Sequence, residues 1–186
     1  MVNPFSTRFW VSGVLPFQFA EHGETIDSLL EKSQRYSICQ IVGPHGSGKS
    51  TLLLQLLKRY EESGESVRLL LFNDQHRCLP DDLMFSKNQI LFADGFEQLP
   101  LLRQFWLRVR SKRLILTCHR AVRFVPILYR TQPQFSVFVQ IVRQIVSDAL
   151  DESALQVVYE RSGGNFRTAF FELYDQWEKR NTNDGR

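Results

Sequence analysis

The run Gly43-Pro44-His45-Gly46-Ser47-Gly48-Lys49-Ser50 lies between two apolar segments of different character, and few folds can hold such an arrangement. Before it, residues 37–42 (SICQIV) form a short continuous apolar stretch that suits a strand buried on both faces. After it, Lys49 to Ser63 reads as a leucine-rich helix closed by Gly64 at the C′ position. Entering strand, glycine-rich turn and departing helix together match the GxxxxGK[ST] pattern and its context. The glycines let successive backbone N–H groups turn inward around an anion. The helix points its positive N-terminal end at the same place. Gly43, Pro44, His45, Gly46, Ser47, Gly48, Lys49, Ser50 and Thr51 are therefore the candidate phosphate cradle. Lys49 is expected to reach the outer phosphates and the Ser50 hydroxyl to ligate Mg2+. The competing reading is a glycine turn that merely joins two core elements.

The remaining elements extend the alternation. Residues 25–35 read as a helix with Ile26, Leu29 and Leu30 on one face. Val67 to Phe72, Gln89 to Asp94 and Leu114 to Cys118 read as strands, and Pro100 opens a helix that runs to about Ser111. A fifth strand is expected from Pro126. Strands alternating with helices predict an α/β fold, a parallel sheet with flanking helices and right-handed crossovers. From Phe135 the pattern is helical: Ser136 to Leu150, Asp151 to Arg161, and Asn165 to Lys179. The expected organisation is a core over residues 1–133 with the N-terminal segment, a small helical lid over 134–180, and a loose tail over 181–186.

With 43% hydrophobic and 23% charged residues, the chain is not of a disordered or fibrous type. It has no run of apolar residues long enough for a membrane span. The N-terminus lacks the compact apolar block of a signal peptide, so it is read as retained. Cys39, Cys78 and Cys118 are odd in number and form no CxxC pair, which suits reduced thiols in a cytoplasmic protein.

On these residues the chain resembles the P-loop NTPase superfamily, in its AAA+/STAND-like ATPase branch. NPFSTRF and IVGPHGSGKSTLL look like small stand-alone bacterial P-loop ATPases. Gln89-ILFAD-Gly95-Phe96-Glu97 is similar to a Walker B strand. The resemblance gives Asp94 a role in holding Mg2+ and makes Glu97 a candidate to polarise the attacking water. The family glutamate sits beside the aspartate, whereas Glu97 stands three residues on. Turn capping by Asp94, and helix opening by Glu97, are the structural alternatives.

Leu114-ILTCH119 resembles the sensor strand of that class, which lies between the P-loop and Walker B strands. Thr117 and His119 compete for contact with the γ-phosphate, since alternation puts both on one side. Ser162-GGNFR167 resembles the lid element whose arginine reaches the nucleotide; Arg167 could equally be a surface arginine lying over apolar neighbours. Asn3-PFSTRF9 is expected beside the adenine. No LSGGQ or NKxD element occurs, which disfavours transporter ATPases and guanine nucleotides. The helix that carries the family's arginine finger is almost absent between His119 and Pro126. The expectation is therefore an Mg2+-dependent ATP-binding protein with slow ATPase activity. A non-hydrolysing switch or adaptor and a small-molecule kinase are the alternatives.

Charge is distributed unevenly. Residues 98–147 carry nine basic and no acidic residues, +9, and the remainder carries 14 basic against 20 acidic, −6. Three readings stand for the basic segment between Arg103 and Arg143. It could bind nucleic acid, it could supply Arg120, Arg123 or Arg130 to a neighbouring subunit or protein partner, or it could be a solvated face. Arg103, Arg110 and Lys112 are read as lying on differing faces of their helix.

Overall fold

The computed structural model describes residues 3–10, 13–20, 23–83, 85, 88–146 and 150–183. Five parallel strands form one sheet in the order β2 (Ser66–Leu71), β3 (Gln89–Asp94), β4 (Arg113–Cys118), β1 (Ile38–Val42), β5 (Ile127–Arg130). The expected α/β class and the place of β4 between β3 and β1 hold. Parallel register aligns Val42 with Cys118 and Leu71 with Asp94, so the strand ends carrying polar residues share one edge of the sheet.

Side-chain alternation divides the core. Cys39 and Ile41 of β1 face α2 (Ile26–Gln34) and α3 (Lys49–Glu62), whose Leu29, Leu52, Leu53 and Leu56 are fully buried. Val42 faces the opposite layer with Leu91, Leu114 and Leu116. α2 begins where Thr25 and Ser28 exchange hydrogen bonds in a capping box. α3 ends ahead of Gly64, which adopts φ +81°.

Among the described residues the opposite layer holds one α-helix, α4 (Leu101–Arg110), with Leu107 as its single fully buried residue, beside the short 3-10 turn Phe96–Gln98. No helix follows β4 among the described residues, and the chain passes through residues 119–126 to β5. Gln40, the fully buried centre of β1, takes over the hydrogen bonding that this crossover lacks. Its Oε1 accepts from the Val122 N–H at 2.8 Å and from the Cys118 thiol at 3.1 Å; its Nε2 donates to Val122 O at 3.0 Å and Val125 O at 2.7 Å. An apolar side chain there would leave buried backbone groups without partners.

A separate cluster joins α5 (Phe135–Ile145), α6 (Glu152–Arg161) and α7 (Phe166–Asn183) through Phe138, Val142, Leu155, Phe166 and Phe170. Phe5 is buried within it, and Trp10, at the end of the short helix α1 (Thr7–Trp10), stacks on Phe170 at 5.2 Å. The N-terminal aromatics thus divide, because Phe17 and Phe19 pack on the sheet cluster beside Tyr129. α5 ends five residues earlier than its periodicity predicts; residues 147–149 lie outside the described set. α7 continues to Asn183, past the expected start of the tail, and the Thr182 hydroxyl donates to the Glu178 carbonyl at 2.8 Å. Arg103 and Arg110 are two helical turns apart and share one side of α4, and Lys112 lies beyond its end, which corrects the reading of differing faces.

Candidate functional site

The loop between β1 and α3 is clamped from three sides. Ser47, buried, bonds through Oγ to Pro44 O at 2.8 Å and to Thr131 Oγ1 at 2.6 Å, which ties the loop to the end of β5. Gly43 has no room for a Cβ, which would strike Thr131. Gly46 has φ +71° and lies against Asn165, so the loop also touches the start of α7. Phe17 closes over Gly48. Pro44 and His45 form the exposed tip, while Ser50 and Thr51 stand in the first turn of α3.

Lys49 is 7% exposed and turned back on its own loop, donating from Nζ to Pro44 O at 2.6 Å. The same Nζ lies 3.2 Å from His119 Nδ1, and His119 Nε2 lies 2.8 Å from Glu97 Oε1. With hydrogen on Nε2 the neutral ring donates to Glu97 while Nδ1 accepts from Lys49; Nδ1 also lies 3.3 Å from Gly43 O, to which it donates when it carries the hydrogen. Burial holds the His119 pKa below the ordinary histidine value, and the Lys49 charge adds to the effect. Burial likewise lowers the Lys49 pKa; Glu97 and Asp94 oppose that shift, and Arg167 adds to it. The His45 ring covers His119 with centroids 3.5 Å apart.

Thr117 has different partners. Its hydroxyl donates to Asp94 Oδ1 at 2.6 Å and accepts from the Gly95 N–H at 2.9 Å, so it orients the aspartate at the end of β3. The two residues that competed for one role in the sequence have separate contacts: Thr117 holds Asp94, and His119 connects Lys49 to Glu97. Glu97 Oε2 is buried with no hydrogen-bond partner among the described residues.

A cavity of about 420 Å³ opens beside the loop. Its walls include Gly46 to Thr51, Thr7 and Trp10 of the N-terminal segment, Phe17, and Phe166, Arg167, Phe170 and Phe171 of α7. Arg167 therefore stands at the cavity as the second residue of its helix. Within Asn3–Phe9, Thr7 reaches the cavity, whereas the Asn3 amide is bonded to Tyr174 O at 3.1 Å and Glu178 Oε1 at 2.8 Å. Sequence reasoning missed Thr131, Asn165 and Gln40, polar residues whose partners lie 78 to 119 positions away. A lone Gln in an apolar strand was the one available signal.

No protein-family model and no curated protein sequence matches the chain. Solved structures do. A DNA replication initiation factor superposes with a TM-score of 0.55 at 15% identity, over 84% of this chain and 62% of that one. Domain III of the Thermotoga maritima replication initiation protein DnaA superposes with a TM-score of 0.55 at 17% identity, over 86% of this chain and 84% of the domain. The fold is a P-loop NTPase fold of the AAA+ kind. This chain spans less than two thirds of the first of those structures, and identity at that level carries the fold alone. No described helix is long and apolar enough to cross a membrane.

Proposed function

We propose that this chain binds Mg2+·ATP and hydrolyses it slowly. The convergence of Lys49, His119 and Glu97 beside the glycine loop carries this reading. Glu97 stands three residues past Asp94 in the chain, yet its carboxylate comes within one imidazole of the loop lysine. That proximity supports Glu97 as the group that polarises the attacking water. Its unpartnered Oε2 supports the same role, because an open acceptor is what a water molecule requires.

Ser50 and Asp94 offer oxygen donors, the hard type Mg2+ takes, and that ion draws its further ligands from water and phosphate. The residues fit the ion, which when bound neutralises charge on the phosphates. This chain's own groups do the remainder. Backbone N–H groups of the loop hold the phosphates, and Lys49 exchanges Pro44 O for a phosphate oxygen. Thr117 keeps Asp94 oriented, and Trp10, Phe17 and Phe170 offer the base an apolar wall. Turnover is slow because, among the described residues, no helix lies between β4 and β5 to carry an arginine finger.

A phosphate-release assay combined with ATP titration tests this. Turnover below about one per second is expected, a rate at the low end for enzymes. Lys49→Ala should lose nucleotide binding, and Glu97→Gln should bind but not turn over. Normal ATP affinity in Lys49→Ala overturns the reading. Tight binding with no turnover in the unaltered chain makes it an ATP-dependent switch instead.

A further inference from the structure

Helix α4 is amphipathic in the wrong sense for a helix that merely covers a sheet. Leu101, Leu102, Phe105, Trp106 and Val109 recur at helical spacing and form one stripe, but their exposures are 80%, 84%, 65%, 45% and 65%. The side turned to the sheet holds Leu107, fully buried, with Gln104 half-buried and bonded to Leu99 O. Phe85 meets Trp106 edge-on at 4.8 Å, at the margin of the stripe. The five side chains expose on the order of 600 Å² of apolar surface, at the upper limit for a single patch on a monomer. A standard interface buries about 800 Å² per partner, so this stripe with a polar rim amounts to one half of such an interface.

The rim states what kind of surface fits. Helical spacing sets Arg108 along one border of the stripe and Arg103 with Arg110 along the other. Arg103 donates to Arg77 O at 3.3 Å, and the Arg110 guanidinium lies over the Phe85 ring at 5.8 Å. Both arginines are thereby placed beside the stripe, and neither contact neutralises a charge. Residues 98–147 contain no acidic side chain. A second copy laid face to face would set arginine against arginine, and duplex nucleic acid would leave the apolar stripe uncovered. We propose that the outer face of α4 docks a protein partner that presents an apolar ridge flanked by carboxylates, such as an acidic amphipathic helix. The apolar stripe supplies affinity, and the arginine borders set register and exclude basic partners. This surface is independent of the nucleotide reading.

The test uses the full chain and two labelled, lactam-bridged helical peptides with the same leucine stripe, one flanked by Glu and the other by Lys. Fluorescence anisotropy should give the Glu-flanked peptide a Kd on the order of tens of micromolar. The Lys-flanked peptide should bind at least about tenfold more weakly. Leu102→Gln with Phe105→Ser should abolish binding, and Arg103→Glu with Arg110→Glu should reverse the flank preference. These positions are exposed, so an unchanged melting curve is expected and verifies that each variant is folded. Equal affinity for both peptides, no binding of the Glu-flanked peptide, or binding insensitive to the α4 substitutions overturns the proposal. So does a dimer of the unaltered chain that Leu102→Gln with Phe105→Ser dissociates, which gives the face to a second copy. Duplex DNA binding that is lost in Arg103→Glu and kept in Phe105→Ser gives it to nucleic acid.

Discussion

His119 Nε2 lies 2.8 Å from Glu97 Oε1 while its Nδ1 lies 3.2 Å from Lys49 Nζ, so one imidazole joins the loop lysine to the glutamate beyond β3. With its hydrogen on Nε2 the neutral ring donates to the glutamate and accepts from the lysine, and it can do both only from a fixed orientation. The His45 ring above it contributes to that orientation.

On the proposed ATPase reading, with the imidazole positioning Glu97, His119→Ala should lower kcat by about ten- to a hundredfold while ATP affinity changes little. Single-turnover hydrolysis set beside equilibrium titration separates the two effects. An equal loss in both would make His119 a phosphate ligand.

The same ring predicts an acid-sensitive fold. Its pKa in the folded chain lies below the ordinary histidine value, with burial as the main cause. The unfolded chain then binds the proton more readily, so the neutral ring's contribution to stability is present above about pH 6.5 and is lost as pH falls through that value towards the lowered one. Thermal melts at pH 7.5 and 5.5, taken for the native chain and for His119→Gln, should show a smaller acid-induced drop in the variant.

Gln40→Leu should cost about 3 kcal/mol in urea denaturation, since it strands the Val122 N–H and two carbonyls in the interior. Strand β1 would keep its apolar pattern, so the loss would report the crossover loop. A change within a few tenths of a kcal/mol would mean that the loop finds other partners.

Gly46→Ala forces a side chain into a left-handed conformation and against Asn165. About 1–2 kcal/mol of stability should be lost, and with it the seam between loop and α7. Weakened nucleotide binding, measured alongside the melt, is the expected companion. Asn165→Ala should relieve the clash but not the conformational strain, so the double variant should recover only part of the loss.

Much of this molecule is local and therefore legible. Apolar runs such as residues 89–94 (QILFAD) mark buried strands, and Gly64 marks a helix end, because strand, turn and cap depend on neighbours a few residues away. Glu97 was harder to assign. Its distance from Asp94 along the chain argued against a shared site, and the short helical turn Phe96–Gln98 removes the objection by carrying the carboxylate round to His119. Thr131, at the end of β5, has no sequence signal at all, since its value lies in a hydroxyl placed next to Ser47.

The sequence by itself determined the strand–loop–helix unit, the order of the elements and the accumulation of arginines after Glu97, because periodicity, glycine conformation and charge belong to the chain. Tertiary structure alone decided which residues share the site and which way α4 faces. Periodicity states that Leu102, Phe105 and Val109 lie on one side of a helix, but not whether that side meets the sheet. The answer depended on what else covers the sheet: Leu107 is buried against it, and the apolar stripe that a solitary helix would be expected to bury is left outside.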